Sequence, residues 1–494
     1  MTSPLPADHL ERTDAWGGAS SAMNYVFRPS DGAGIRRVLE LARQAGVSVG
    51  FRGSGRSYGD AAINAERVLI DLTRMNRILA WDPQRGIVRV EPGVTVADLW
   101  RYVIGDGWWP PVVPGTMFPS IGGCLAMNVH GKNNWHAGVL GEHVRKFTAL
   151  LPSGEMVTCT PESEPELFRA MIGGLGLLGC FTEIELQMTR IYSGRLRVLA
   201  RAERNMKAML GDMEALKDEW NYLVGWVDGI AGGQALGRGQ IHAANYLAAG
   251  EDRFPTQSLR LENQDLPDTF FGVIPKSIMW RFMRPLVNNL GMRLVNQGRY
   301  LMAVRGHDHL FEQSLAEFNF LLDYIPHWKR AYGPHGLIQY QCFIPQAAAA
   351  EAFAGILRLC QSRHLPPFLG VTKRHRPDSF LLSHAVDGFS LALDFRVTRA
   401  NRERLAQLAH DLDEVVLDHE GRFYFAKDST LTPGTVSAFL GRDALEAFER
   451  LKSRCDPEGL LQSNLARRVF EPPTVREIPH KAAPPIEHLH HTVP

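Results

Sequence analysis

With 494 residues, the chain is longer than one simple core requires, so two domains or a large two-lobed enzyme are expected. Hydrophobic residues make up 45% of the chain and charged residues 22%, which is ordinary for a globular protein. The formal net charge of +1 gives no reason to expect a nucleic acid or an anionic membrane as partner, so any recognition of phosphate must be local.

The cysteine pattern and the two ends of the chain bear on its location. Residues 1–14 are predicted to be a disordered lead-in without the apolar run of a signal peptide, and no run of about 18 apolar residues predicts a membrane span. Residues 471–494, rich in Pro and His, are predicted to be a flexible tail without a functional metal site. The cysteines lack metal-ligand spacing, which favours a reducing compartment, the cytoplasm, over a disulfide framework; they are Cys124, Cys159, Cys180, Cys342, Cys360 and Cys455.

A glycine-rich segment at residues 52–64 stands between two predicted strands, residues 46–51 and 67–72, and follows a predicted helix at residues 31–45. Successive backbone N–H groups in tight turns form an anion-binding concavity, and phosphate is the usual anion bound there. A glycine-rich surface turn is the alternative. The length and polar content of the segment favour a cofactor loop.

A second glycine-rich loop covers residues 114–143 and combines bare backbone with many side-chain donors, which suits a strip wrapped around an extended polar ligand. Before it, residues 95–105 are predicted to form a helix with Thr95 as N-cap. After it, residues 147–151 and 155–158 are predicted to form a hairpin.

The GxGxxG pattern that begins at Gly174 does not predict a nicotinamide site, because a helical stretch precedes it and a strand follows it. A tight connection from helix to strand is the plain structural interpretation. In the remainder of the chain the predicted strands are residues 196–202, 221–228, 336–344 and 389–397, and the predicted helices are residues 206–216 and 402–418. The alternation of short strands and helices predicts an α+β fold.

Two long stretches of the second half are harder to interpret. Residues 231–268 are predicted to be irregular, and either to cap a pocket or to be mobile, instead of packing in a core. Residues 270–290 are aromatic and basic. A helix pair that packs on the core is favoured over a face that meets a lipid or a membrane surface, because Pro275 and Pro285 interrupt the amphipathic run.

Several motifs together resemble one family. They are RGSGRSYGD at 52–60, PGT at 114–116, IGG at 121–123, HGKN at 130–133, Tyr424 with AKD at 426–428, and NLARR at 464–468. Here the chain resembles the FAD-dependent oxidoreductases of the vanillyl-alcohol-oxidase type, and most of all the decaprenylphosphoryl-β-D-ribose 2′-oxidase family, from about Trp16 to Val469. The resemblance implies a two-lobed α+β fold, with an FAD-binding domain of two α+β subdomains and a substrate domain with an antiparallel sheet. The implied bounds are 15–193 for the FAD-binding domain, 194–421 for the substrate domain and 422–470 for a return to the FAD-binding domain.

The resemblance also implies where FAD lies. The glycine loop would hold the diphosphate, the residues from Ser120 to His130 would line the ribityl chain and the flavin, and the turn ending at Gly179 would lie against the cofactor. Many relatives attach the flavin through a histidine or cysteine, but residues 52–60 contain neither and Cys124 is expected to be a buried core residue, so non-covalent FAD is expected. The implied FAD contacts are Arg52, Gly53, Ser54, Gly55, Arg56, Ser57, Tyr58, Gly59, Gly115, Thr116, Ser120, Ile121, Gly122, Gly123, Asn128, His130, Gly179 and Tyr424.

Alcohol oxidation with a flavin needs a group that accepts the hydroxyl proton. Lys427 and His130 are the candidate catalytic residues, and the apolar neighbours of Lys427 predict a desolvated lysine with a lowered pKa. The lysines of the implied substrate pocket could neutralise a phosphodiester and its glutamines could bind sugar hydroxyls. The implied substrate-binding residues are Lys132, Tyr58, Trp226, Gln339, Gln341 and Lys373, with Gln339 and Gln341 on one face of a strand.

The expected function is oxidation of a secondary hydroxyl of a sugar, foremost the 2′-hydroxyl of a polyprenyl-phosphoryl-β-D-ribose, with a separate short-chain reductase as partner and at most peripheral contact with the inner membrane. The chain departs from the family in having Ala392 in place of a pocket cysteine and Ser390 in place of a common asparagine. The alternative enzyme is an aldonolactone or alditol oxidase, but such relatives usually carry a histidine-rich element where this chain has Tyr424 to Lys427. A flavin-binding protein without turnover is the alternative from another class.

Overall fold

The computed structural model describes residues 5–266, 269–270 and 274–470. The predicted flexible tail lies outside the described residues, as do the first four residues of the predicted lead-in. The rest of the lead-in is not disordered, because Leu10–Asp14 forms a strand that pairs antiparallel with the next one. That prediction was wrong since a single polar edge strand has too little hydrophobic pattern to stand out.

The first sheet has the order β1-β2-β4-β3, and its last three strands run parallel. Helix α1 (Gly32–Ala45) packs beside it, as predicted, with the Asp31 side chain accepting a hydrogen bond from the Gly34 N–H and Gly46 ending the helix at φ 65°. The glycine loop joins β3 to β4, which confirms that it connects two strands. The strands are β1 (Leu10–Asp14), β2 (Ser21–Phe27), β3 (Val49–Arg52) and β4 (Val68–Asp71).

The second sheet is antiparallel with the order β5-β6-β10-β8-β9, and a short pair, β7 with β11, lies outside it. Its strands and those of the pair are β5 (Ile78–Asp82), β6 (Ile87–Val90), β7 (Trp108–Trp109), β8 (Val144–Leu150), β9 (Met156–Cys159), β10 (Cys180–Gln187) and β11 (Thr189–Arg190). The helices of this part are α2 (Val96–Val103), α3 (Ile121–Ala126), α4 (Asn134–Ala137) and α5 (Pro165–Met171).

The local predictions for this part are confirmed. Thr95 and Asp98 form a reciprocal capping box at the start of α2. Strands β8 and β9 form the predicted hairpin, and the glycine turn after α5 leads directly into β10. The predicted second loop is only partly a loop, because α3 and α4 lie within it. The pair Gly122–Gly123 therefore begins a short helix rather than an open strip.

The third sheet is antiparallel and has eight strands in the order β17-β12-β14-β13-β19-β20-β18-β21. They are β12 (Arg195–Glu203), β13 (Tyr222–Val227), β14 (Gly239–Tyr246), β17 (His309–Ser314), β18 (Leu337–Pro345), β19 (Leu369–His375), β20 (Gly388–Arg396) and β21 (Arg422–Phe423); a two-residue pair, β15 (Thr269–Phe270) with β16 (Ile274–Pro275), stands apart. Helices α6 (Met206–Leu216), α11 (Gln346–Ser362) and α12 (Arg402–Asp418) pack beside the sheet. The bounds predicted for α6 and α12 are confirmed.

Strand β14 overturns the prediction that residues 231–268 are irregular. It pairs with β12 on one side and with β13 on the other, so it is an internal strand of the largest sheet. Its sequence, GQIHAANY, has only one β-branched residue, Ile241, and one aromatic residue, Tyr246, among small and polar residues that do not mark a strand. Small residues suffice here because Ala243 and Ala244 are fully buried by neighbouring elements.

The segment between β14 and β18 contains α7 (Pro255–Ser258), α8 (Met279–Met283), α9 (Asn289–Arg305) and α10 (Leu315–Asn319). Helix α8 and the start of α9 are the helix pair predicted at residues 270–290, separated by a turn that contains Pro285. The expectation that this pair packs on the core is only half right. Val287 is buried, but Phe282 is 60% exposed.

The C-terminal part returns from the third sheet to the first. After β21, the chain passes the glycine loop and continues through α13 (Pro433–Leu440), α14 (Arg442–Cys455) and α15 (Asn464–Val469). A parallel bridge joins Leu461 to Val49 in β3. Within the described part of the chain, no helix combines the length and the apolar character needed to cross a membrane.

Candidate active site

A cavity of about 620 Å³ lies where the two glycine loops, the third sheet, helix α9 and the C-terminal return meet. The return places Tyr424, Ala426 and Lys427 in the wall, together with residues of the third sheet. Elements distant in sequence therefore share one site, which is large enough for an extended ligand.

One face of the third sheet forms a wall of this cavity, and strand alternation decides which residues reach it. Antiparallel pairing aligns Trp226 with Val371, Val371 with Ala392, and Ala392 with Gln341 in one row across four strands. The neighbouring row contains Lys373. The predicted sharing of one strand face by Gln339 and Gln341 is confirmed, since both line the cavity.

The first glycine loop packs so closely that side chains would not fit at two positions. A Cβ added at Gly53 would lie 2.1 Å from Oγ of Ser120, and one at Gly59 would lie 1.7 Å from the carbonyl oxygen of Asp428. The Tyr58 N–H donates to the Ala426 carbonyl at 2.9 Å. The glycine loop is thus joined directly to the second loop and to the C-terminal return.

The amide N–H groups of Gly53, Gly55, Arg56 and Ser57 have no acceptor within the described part of the chain. Nε of Arg56 is buried without a hydrogen-bond partner there, and burial lowers the pKa of this guanidinium. Adjacent N–H groups and a desolvated cation form a binding site for an anion with several oxygen atoms. The residues present therefore fit the diphosphate of FAD.

Most of the residues predicted to contact FAD line the cavity: Gly53, Ser54, Gly55, Arg56, Ser57, Tyr58, Gly115, Thr116, Ser120, Gly122, Gly123, His130, Gly179 and Tyr424. Four do not. The guanidinium of Arg52 instead donates to the carbonyl oxygens of Ala62 and Asp14 at 2.9 and 3.2 Å, which braces the loop from behind.

Gly59, Ile121 and Asn128 also lie behind the wall. The Asn128 side chain accepts a hydrogen bond from the Gly141 N–H at 2.9 Å and so fixes the second loop. Ile121 is buried, with its N–H bonded to the Val94 carbonyl. The arrangement favours a supporting role for these positions over direct contact.

Lys427 projects into the cavity with Nζ 3.7 Å from the centre of the Tyr58 ring. Burial lowers the pKa of Lys427 to about 7, and the attraction of Asp394 acts in the opposite direction. Asp394 is buried. Its Oδ1 accepts a hydrogen bond from Gln339 at 2.5 Å, while its Oδ2 has no hydrogen-bond partner within the described residues. A lysine in this setting can exchange a proton near neutral pH.

His130 is buried between the sheet and the C-terminal return. Its Nε2 lies 3.0 Å from the amide nitrogen of Gln341, and its Nδ1 lies 3.5 Å from Nζ of Lys373. Burial first, and nearby positive charge second, hold the pKa of His130 well below its usual value, so the ring is neutral. Because a neutral imidazole carries one N–H and the Gln341 amide nitrogen donates to Nε2, that N–H is on Nδ1, beside the Lys373 amine.

The wall of the cavity contains five basic side chains and, among the described residues, no aspartate or glutamate: Arg56, Lys132, Arg299, Lys373 and Lys427. Burial lowers the pKa of Lys373 to about 8 and that of Arg299 to about 10. The Lys132 ammonium donates to the Phe318 carbonyl, and burial holds its pKa well below the usual value. An anionic ligand would relieve the electrostatic cost of placing these groups together.

Sequence reasoning missed several residues of the site. Arg299 stacks over the Trp226 ring at 4.1 Å but belongs to α9, where no motif marks it. His375 and His384 contact the His130 ring, with centroids 4.9 and 5.3 Å away. The sequence signal that could have pointed to Arg299 is the absence of Asp and Glu from the residues around it.

Cys124 lines the cavity but is 1% exposed, and burial raises the pKa of its thiol to about 12. It is a core residue, as expected. All six cysteines lie among the described residues and are free and buried.

Comparison with known proteins agrees with this geometry. Residues 23–160 match the family model described as FAD binding domain. The decaprenylphosphoryl-β-D-ribose oxidase of Mycolicibacterium smegmatis is 31% identical over 472 residues, which cover 93% of this chain and 97% of the relative. The L-gulonolactone oxidase of Bos taurus is 30% identical over 37% of this chain and 42% of its own, and the D-arabinono-1,4-lactone oxidase of Yarrowia lipolytica is 25% identical over 37% and 35%.

The FAD-binding domain, the glycine loop with its free N–H groups and the large antiparallel sheet that lines the same cavity define an FAD-dependent oxidoreductase with an α+β fold, as the sequence predicted. The match to the Mycolicibacterium smegmatis enzyme covers nearly the full length of both chains and identifies a particular family within this class. The chain belongs to the decaprenylphosphoryl-β-D-ribose oxidase family.

Proposed function

We propose that this oxidoreductase oxidises the 2′-hydroxyl of a polyprenyl-phosphoryl-β-D-ribose to the 2′-keto sugar. The observation that carries the proposal is the cavity wall, which Lys132, Lys373 and Arg299 line and to which no described aspartate or glutamate contributes. A phosphodiester supplies the missing negative charge, whereas a free lactone or alditol is neutral. The name of the Mycolicibacterium smegmatis relative supports the same substrate.

FAD is bound non-covalently in this proposal. The free amides of the glycine loop and Arg56 hold the diphosphate, Ser120 supports them, and Tyr424 lies against the flavin end of the site. The cofactor supplies the acceptor for the hydride that leaves the sugar carbon. The buried thiol of Cys124 is too weakly acidic to provide the thiolate that attachment would need.

Lys427 accepts the proton of the reacting hydroxyl, and His130 orients that hydroxyl. The assignment follows from the two pKa values, because a general base works best with a pKa near the operating pH. The pKa of Lys427 is about 7, whereas that of the neutral His130 is far lower and makes it the weaker base. Oxidation thus separates the proton, which goes to Nζ, from the hydride.

Substrate orientation is divided between charge and hydrogen bonding. Lys132, Lys373 and Arg299 bind the phosphodiester, while Gln339 and Gln341 bind hydroxyl groups of the ribose. Trp226, stacked under Arg299, provides an apolar surface beside the phosphate. Ala392 leaves space where relatives carry a larger side chain.

The proposed domains of the chain correspond to the binding of FAD and the binding of substrate. Residues 15–193, as two α+β subdomains, and residues 422–470 form the FAD-binding part, and residues 194–421 form the substrate domain. A 2′-keto product is consumed by reduction, so a short-chain reductase is the partner that completes epimerisation to arabinose. A polyprenyl substrate places the enzyme in peripheral contact with a membrane.

Inhibition by a substrate fragment tests the recognition of phosphate. A short polyprenyl phosphate is expected to compete with substrate, and the corresponding uncharged polyprenol is expected to bind far more weakly. Replacing Lys373 with Gln should weaken inhibition by the phosphate by roughly tenfold to a hundredfold, the cost of one charge-assisted contact, and leave inhibition by the alcohol unchanged. Equal inhibition by phosphate and alcohol would overturn the proposal.

A further inference from the structure

Helix α9 exposes apolar side chains where a surface helix usually carries polar ones. Leu290, Leu294, Leu301 and Val304 are 69%, 65%, 49% and 48% exposed. Spacings of four, seven and three residues place them in one stripe along the helix. Phe282 on the preceding α8 adds a further exposed ring. An apolar surface of this kind marks an interaction site.

The opposite side of α9 belongs to the cavity. Met292, Asn296 and Arg299 line it, and Asn296 is buried, with its amide donating to Asp228 at 2.8 Å. The helix is therefore held in place by its inner side. Its outer apolar stripe is exposed and is not part of the core, and Val295 connects the two sides, since it lines the cavity and is 40% exposed.

The charged residues of this segment are all basic. From residue 269 to residue 307 the sequence has six Lys and Arg residues and no Asp or Glu, although the whole chain carries a formal charge of only +1. Arg281, Arg284, Arg293 and Arg305 are exposed, and none of them forms an ion pair with another described residue. Apolar side chains flanked by arginines are the composition of an interfacial membrane helix.

We propose that α8 and α9 form a docking surface that seats the protein on a bilayer containing anionic lipid, with the cavity rim against the membrane. The leucine stripe enters the acyl boundary, and the arginines meet the headgroups. The membrane is favoured over a second copy of the chain because the surface is basic and adjoins the rim. If the surface also guides a polyprenyl substrate into the cavity, that role rests on the proposed function. Membrane binding by the surface does not depend on the proposed function.

Co-sedimentation of the flavin-loaded full chain with vesicles tests the proposal. The vesicles contain phosphatidylcholine alone or equal parts of phosphatidylcholine and phosphatidylglycerol. Binding is expected only with the anionic lipid and should weaken as salt is raised. The double variant Leu290→Gln/Leu294→Gln should bind about tenfold more weakly or worse. The matched control is Tyr102→Gln/Met156→Gln, which removes two exposed apolar side chains elsewhere.

Charge is tested separately with Arg284→Gln/Arg293→Gln against Arg37→Gln/Arg450→Gln, all four positions being exposed. The first pair should weaken binding and reduce its dependence on salt, and the control pair should not. Equal vesicle binding by the wild type, the leucine variant and the Arg284→Gln/Arg293→Gln variant would overturn the proposal. So would a leucine-dependent dimer, seen by analytical ultracentrifugation, that does not bind vesicles. Vesicle binding without oxidation of a polyprenyl-phosphoryl ribose would contradict the proposed function and leave the docking surface standing.

Discussion

At the scale of single residues, Lys427 combines two opposing influences. Desolvation favours its neutral amine, and the buried Asp394 favours the ammonium. A pKa of about 7 results, which allows the group to accept a proton and later release it. Tyr58, under the ammonium at 3.7 Å, stabilises the charged form that follows proton transfer.

Replacement of Lys427 by Ala should leave FAD bound but slow flavin reduction by substrate about 100-fold to 10,000-fold, since the proton acceptor is lost. Rapid-mixing measurement of the flavin absorbance under anaerobic conditions gives the rate. Lys427→Arg is the control for charge, because it keeps the cation but cannot act as a base near neutral pH. Unchanged reduction in the Ala variant would remove Lys427 from the mechanism.

The pH dependence follows from the same residue. In the proposed mechanism the base is the neutral amine of Lys427, so kcat/KM should fall by about tenfold for each pH unit below pH 7. Loss of the carboxylate in Asp394→Asn removes an influence that raises the pKa of Lys427, so the acidic limb should move to lower pH by roughly one unit. A pH profile that is identical in the two proteins would show that Asp394 does not act on the base.

The proposed non-covalent attachment of FAD also rests on single residues, because the loop of residues 52–60 offers no histidine or cysteine and Cys124 is a buried thiol. Acid precipitation should therefore release all the flavin and leave a colourless pellet. Cys124→Ser should behave in the same way. Yellow colour that remains with the precipitated protein would contradict the assignment.

At the scale of elements, the glycine loop depends on backbone contact with the C-terminal return. Gly59→Ala places a Cβ 1.7 Å from the Asp428 carbonyl oxygen, so one of the two segments must move. We expect reduced FAD content and a loss of about 1–3 kcal/mol in the free energy of unfolding. Gly105→Ala, where no atom lies within 4 Å, is the control and should change neither. Full FAD retention in both variants would contradict this contact.

Elements with strong local signals were predictable. Helices α6 and α12 show a clear apolar period, and Thr95 caps α2 because its hydroxyl and the Asp98 carboxylate bond reciprocally. Strand β14 was not predictable, since its small side chains are specified by the elements that cover them and not by local preference. Strand β1 was not predicted for a related reason, because it is defined by its pairing with β2 and not by its own sequence pattern.

At the scale of the whole molecule, the site joins segments that are distant along the chain. The sequence predicted the glycine loops, Lys427 and the polar residues of β18, because each stands in a recognisable motif or alternation. It did not predict Arg299, which reaches the cavity from α9, or His375 and His384, which contact the His130 ring without lining the cavity. The absence of acidic side chains from the described wall likewise appears only once these elements are assembled.

Anaerobic bleaching of the bound flavin tests the central claim most directly. A short-chain polyprenyl-phosphoryl ribose is compared with free aldonolactones and alditols at the same concentration. The account predicts that only the phosphorylated ribose removes the visible absorbance, and that Lys373→Gln raises the concentration required. Bleaching by the free sugars alone would contradict the account. The basic side chains of the cavity wall would then bind the cofactor and not the substrate.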